Sequence, residues 1–282
     1  MGSAQRAGLA VTAPFSSHTN ISTMKTPPKN EYPRPNLKRA HWLNLNGQWD
    51  FATDPDNLGI RQQWWLRKKW PETITVPFCP NSPASGVQID PDITTVWYHR
   101  TFELPDWASA DVVLNIGACD YHSQIYINSQ QAGEHQGGYT PIHLSIGDYL
   151  KPGTNHIVVR ATDSDSWQQP RGKQEGTTRW PIDYDAVIGI WQSVWLEPTN
   201  AVHITHLGSH YDLRAQQLHL TCTLSDQFHG QLTAHLRTND LDVAATSVEG
   251  QARSELRITL DVADPRLWSP EQPFLYDLDL SL

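Results

Sequence analysis

The chain of 282 residues is short of sulfur and of positive charge, and it has no long apolar run. It holds three cysteines, Cys79, Cys119 and Cys222, widely spaced and without a CxxC pair. That spacing argues against a disulfide framework or a thiolate metal site and suits buried thiols in a reducing compartment, so a cytoplasmic location is expected. Lys and Arg total 21 against 30 Asp and Glu, a net charge of −9, and no basic run exceeds Arg67-Lys68-Lys69. Nucleic acid is therefore not an expected partner. With a mean hydropathy of −0.51 and no segment apolar enough for a bilayer, neither is a membrane. Motifs for a nucleophilic serine elbow, a phosphate-binding loop, a dinucleotide fold or an HExxH zinc site are missing too. No cofactor and no metal are expected; His203 and His206, three apart in a strand, would face opposite ways.

What is present is aromatic and turn-rich: 12 Trp, 9 Tyr, 20 Pro and 17 Gly. Large flat side chains with frequent Gly and Pro favour short strands joined by tight turns. The chain is organised around Gly189-Ile190-Trp191-Gln192-Ser193-Val194-Trp195-Leu196-Glu197, which closes a long polar loop. Its apolar residues do not keep a period of two, which predicts burial on both faces or a bulge. Core packing alone would account for its tryptophans.

Before that block, Leu43–Phe51 with Asn46-Gly47 predicts a hairpin with Trp49 and Phe51 facing inward. Arg61–Trp70 is basic and Trp-rich with no clear period, and should lie over the surface. Val96–Leu104 is the clearest strand, bulky on both faces. Further strands are expected near 74–78, 111–116, 123–128 and 156–161, with Asn128 to Pro141 read as a turn region whose His135 fixes the backbone by hydrogen bonds. No stretch shows a convincing helical period. The fold class is therefore all-β: a disordered tail over 1–30, a β-sandwich over 31–199, and a smaller immunoglobulin-like β-sandwich over 200–282 built from about five short strands and a last one near 274–282.

The densest polar stretch runs from Asp163 through Asp185, and the loop of about 26 residues up to the Gly189 block exceeds ordinary loop length. Asp163, Asp165, Trp167, Arg171 and Trp180 are the candidate substrate-binding residues: carboxylates and a guanidinium for hydroxyl groups, indoles for the flat face of a sugar ring. A solvated loop packed on its neighbours is the other reading of the same residues. As hydrolytic acids they fall short, because an exposed loop offers neither the rigidity nor the burial that a catalytic carboxylate pair requires. No catalytic residue is assigned.

Taken in order, Leu45-Asn46-Gly47-x-Trp49-x-Phe51, Trp97-Tyr98-x-Arg100-x-Phe102, Gly133-x-His135-x-Gly137-Gly138-Tyr139-Thr140-Pro141, the Gly189 block, and Leu267-Trp268-Ser269-Pro270 with Leu275-Tyr276 resemble the N-terminal half of glycoside hydrolase family 2. The resemblance spans about Pro33 to Leu282. It implies a jelly-roll sugar-binding domain followed by an immunoglobulin-like domain, from β-galactosidases, β-glucuronidases or β-mannosidases. In that family a (β/α)₈ barrel carries both catalytic glutamates, and a barrel of about 250 residues has no room after Leu282. The resemblance also implies an acidic residue from the sandwich loop at the sugar pocket, best matched by Asp163 or Asp165. The expectation is the N-terminal portion of a β-glycosidase, inactive alone and prone to self-association where a barrel would cover it. The alternative is a stand-alone carbohydrate-binding or scaffold module that complements a separately encoded catalytic chain.

Overall fold

A computed structural model describes residues 26–107, 111–164, 166, 168–170, 172–174, 184, 186–239 and 241–282. Among these residues there is no α-helix, only strands and short 3₁₀ turns, and no helix long and apolar enough to cross a membrane. The architecture is all-β, as the residue pattern predicts.

The first sandwich closes two sheets over one core. The larger sheet orders β3 (Glu72–Val76), β2 (Gly47–Thr53), β4 (Thr95–Glu103), β10 (Thr154–Thr162), β7 (His122–Ile127) and β8 (Gln130–Gln136). The smaller orders β1 (Leu43–Asn44), β12 (Val194–Thr199), β5 (Asp111–Ile116) and β9 (Ile142–Ser145). Alternation then decides what each face buries. On β4, Val96 and Tyr98 enter the core with Trp49, Phe51, Ile125, Ile157 and Leu196, while Trp97 and His99 point to the opposite side. That side is also covered. The 58–70 segment lies across it, with Trp65 stacked on Tyr126 at 4.9 Å and Trp64 against Trp97 at 5.8 Å. The basic, aperiodic stretch thus lies over the surface of the sandwich as its composition predicts.

The Gly189 block divides in two. β11 (Gly189–Ile190) pairs with β6 (Cys119–Asp120), and β12 runs between β1 and β5. Residues Val194 to Glu197 are buried on both faces, which explains the missing period. Gly189 is required here: its φ is +82°, and a Cβ would collide with the Tyr98 hydroxyl.

Two readings of the strands change. Asn46-Gly47 does not close a hairpin, because β1 pairs with β12 in one sheet and β2 with β3 and β4 in the other. The Asn46 side chain makes this corner, donating to Ser193 Oγ at 3.0 Å and accepting from Val194 N–H at 2.9 Å, so its partners are distant in sequence. The region read as turn after Asn128 contains β8, a polar edge strand whose exposed residues give no apolar alternation.

The second sandwich rests on one long hairpin. β13 (Ile204–Asp212) and β16 (Asp277–Ser281) pair with different halves of β14 (Gln217–Thr238), which pairs along its length with β15 (Leu241–Asp261). The short strands expected at 217–224 and 230–237, and at 244–248 and 255–262, are segments of these two chains, bent where the register shifts between Thr223 and Phe228. Gly230 and Gly250 face Phe228 at the bend, where a Cβ would come within 2.7 and 2.6 Å of its ring. The folded hairpin encloses Leu220, Leu236, Ile258 and Leu260, with Cys222, Leu232 and Leu256 in a neighbouring cluster.

Buried Glu197 ties the two units together. It accepts from Arg34 and Arg39 at 3.0 Å each, from Trp195 Nε1 at 2.6 Å and from the Tyr32 hydroxyl, while Arg39 also donates to Ile204 O at 2.8 Å. A carboxylate so far from water is tolerable only with such partners.

Candidate functional site

The site is built at the end of the first sandwich where β6, the end of β10 and β11 meet. Asp163 follows β10, and its backbone N–H bonds to Thr94 O at 3.0 Å, which fixes where the polar loop leaves the sheet. Its carboxylate accepts from the Gln169 amide, folding the start of the loop back on itself. Asp120, at the end of β6, is nearly inaccessible, and a Cβ on Gly138 would collide with its carboxylate. Burial and the nearby Asp163 charge push Asp120 up to about 7, while a hydrogen bond from Gln174 opposes the shift. Asp120 is therefore close to half protonated near neutral pH.

Gln174 is the clasp of this end of the loop. Its Nε2 donates to the Tyr139 hydroxyl at 3.3 Å, its Oε1 accepts from Val187 N–H at 2.6 Å, and its backbone bridges to Tyr184. Tyr139 and Tyr184 are 54% and 64% exposed, enough for each ring to meet a ligand. Trp191 supports Tyr139 edge-on at 6.0 Å and donates to Gly138 O at 2.8 Å. The Gly-rich turn between them is held by His135 Nε2 and Thr140 Oγ1 at 2.9 Å, the hydrogen-bonding role expected of that histidine.

Beside Asp163 lies a cavity of about 270 Å³ lined by Asn81, Asp90, Asp92, Ser164, Gln174 and Val187. Carboxylates, amides and the Thr94 and Ser164 hydroxyls line it beside Ile89, Ile93 and Ile188, with no cation in the wall among the described residues. Such a surface accepts hydrogen bonds from hydroxyl groups, and the exposed tyrosines beside it offer ring faces. A wider groove of about 1090 Å³ at the joint between the sandwiches has Leu37, Trp107, Tyr276 and Leu282 in its wall, together with Lys38, Arg39, Asp277 and Asp279.

Of the predicted site residues, the structure places Asp163 in the cavity wall. Asp165, Trp167, Arg171 and Trp180 lie outside the described residues. The residue pattern did not single out Asp120, Tyr139, Gln174 or Tyr184. An acid next to Cys119 in a strand-like stretch, and a Tyr after two glycines, were the available signals for the first two.

A jelly-roll-like sandwich with polar groups and exposed tyrosines at one end, joined to an immunoglobulin-like sandwich, is the class of fold. The pattern of "Glycosyl hydrolases family 2, sugar binding domain" matches residues 43–199, and that of "Glycosyl hydrolases family 2" matches 202–282. The chain belongs to glycosyl hydrolase family 2. It is 28% identical over 272 residues to a beta-glucuronidase of Paenibacillus borealis, covering 89% of this chain and 44% of that protein. It is 23% identical over 249 residues to a beta-galactosidase of Thermoanaerobacter pseudethanolicus, covering 85% and 33%. The apo structure of the Ruminococcus gnavus β-glucuronidase superposes with a TM-score of 0.70 at 21% identity over 89% of this chain and 44% of that one, a likeness of fold. The chain thus spans less than half the length of these relatives.

Proposed function

We propose that this chain provides the sugar-binding and immunoglobulin-like modules of a β-glycosidase and does not itself cleave the glycosidic bond. The observation that carries the reading is the order of the two family 2 modules, 43–199 then 202–282, with an aromatic, amide and carboxylate loop at the free end of the first. The loop's role is to border the sugar pocket: Asp163 and Gln174 accept hydroxyl protons, and Tyr139 and Tyr184 flank the ring.

The acids at hand support a binding role over a hydrolytic one. Glycoside cleavage needs one carboxyl to protonate the leaving oxygen and a second as nucleophile or base, about 5 to 9.5 Å apart with the bond between them. Asp120 has a suitably raised pKa, yet Gly138 seals its carboxylate from any substrate. The Asp120–Asp163 pair thus does not present two substrate-facing carboxyls. The acid and nucleophile of the parent reaction belong to a barrel outside this chain.

Calorimetric titration with methyl β-glucuronide and methyl β-galactoside tests the binding role. Affinity of about millimolar is expected, since only one wall of a pocket is present, and it should fall when Asp163 becomes Asn. No heat with either sugar would overturn the assignment of the loop.

A further inference from the structure

We infer that the strap formed by Ile60–Trp70, on the sheet face away from the core, is a second carbohydrate contact that takes a polyanionic glycan chain. The inference rests on the glycosidase reading and extends it from a single sugar at the loop to an acidic polysaccharide held along the sandwich.

The strap is firmly placed. Asp54 accepts from Leu58 N–H at 2.7 Å, Gly59 N–H at 2.8 Å and Trp97 Nε1 at 3.0 Å, so the strap starts from a buried carboxylate. Arg160 clamps the same end through Asn57 at 2.7 Å. Its indoles then lie on the sheet: Trp65 parallel to Tyr126 within 1°, Trp70 stacked on His99 at 5.5 Å, and Arg67 over Trp64 at 3.9 Å. A ring stacked flat on the sheet by one face directs its other face outward, and Trp65 keeps partial exposure.

Covering the sheet requires the indoles, not the charges. Arg61, Lys68 and Lys69 are exposed and form no ion pair or side-chain hydrogen bond among the described residues. With Arg67 they put four cations and no acid into Ile60–Trp70 of a chain whose net charge is −9. Ile60 and Leu66, 39% and 50% exposed, add apolar surface between them. A ring face, apolar flanks and unpaired cations on a rigid base are what a sugar chain bearing carboxylate or sulfate groups requires: C–H faces rest on Trp65, and anionic groups meet Arg61, Lys68 and Lys69.

A bilayer or a nucleic acid duplex presents negative charge over an area wider than the strap, where the acidic remainder of the chain would repel it. A single glycan strand is narrow enough to meet the strap alone.

The test is calorimetric titration of the full chain with heparin and polygalacturonate, beside neutral dextran, inorganic polyphosphate and vesicles containing phosphatidylserine. At 50 mM salt the acidic glycans should bind at least about tenfold more tightly than dextran, and they should weaken by roughly fiftyfold or more between 50 and 200 mM salt, as counterion release from about four cations requires. The triple variant R61E/K68E/K69E, all exposed positions, should lose about tenfold or more in glycan affinity with an unchanged melting temperature and unchanged binding of methyl β-glycosides. Unaltered glycan affinity in that variant, no glycan binding at 50 mM salt, or equal binding of polyphosphate or vesicles would each overturn the inference. Since methyl glycosides report on the loop and acidic polymers on the strap, failure of one reading is distinguishable from failure of the other.

Discussion

The two sandwiches reach an all-β fold by different means. The first buries Trp49, Phe51, Trp97 and Tyr98 almost completely and covers both faces of its large sheet, one by the second sheet and one by the strap. The second folds a single hairpin on itself around aliphatic residues and leaves Leu241, Leu267, Trp268 and Leu275 between 57% and 75% exposed. In the first unit, exposed aromatics gather where polar groups converge, at Tyr139 and Tyr184. In the second, Trp268 is exposed beside Leu267 on a turn that also carries Asp264, Arg266 and Glu271. The proposed sugar contacts accordingly lie in the first unit.

The largest expected effect falls on the joint. Glu197→Ala leaves Arg34 and Arg39 facing a site with no carboxylate and should cost about 3–4 kcal/mol. Chemical denaturation should then resolve two transitions where the parent chain shows closer coupling; one unshifted transition would deny the joint its role. Gly189→Ala should cost about 3 kcal/mol, from strain at positive φ and the collision with Tyr98, and only in the first unit. Intrinsic tryptophan fluorescence reports that unit, because most of the indoles described here lie in it. Leu220→Ala should cost about 2–3 kcal/mol in the second unit alone, and a matching loss in the first would erase the distinction between them.

The smallest effect is a pH dependence. Asp120 titrates near 7 when folded and near 3.8 when unfolded, so the folded chain holds the extra proton between those values. Stability from this group is therefore complete below about pH 4 and is lost as pH rises toward and through 7. Asp120→Asn should remove that slope, with a gain on the order of 1–2 kcal/mol at pH 8 relative to the parent. Melting curves from pH 5 to 8 with identical slopes in both proteins would show that the buried carboxyl is not strained.

Part of this could be read from residues alone. β4 was legible because bulk on both faces of Val96–Phe102 has no other economical explanation, and the Gly189 block because its broken period matches burial on both sides. β8 was hidden, since an edge strand of Gln130–Gln136 has no apolar face to reveal it. The Asn46 corner was hidden for another reason: its bonds reach Ser193 and Val194, and a local turn signal cannot distinguish a hairpin from a change of sheet. At the site, the loop's composition pointed to Asp163, whereas Asp120 and Gln174 depend on contacts formed only after the strands have paired.

The direct test of the central claim is turnover. The purified chain, incubated with nitrophenyl β-glucuronide and β-galactoside beside a mock preparation, should release no nitrophenol above that background. Hydrolysis that co-purifies with the chain and disappears in the mock would contradict the account, because it would require an accessible acid pair within these two sandwiches.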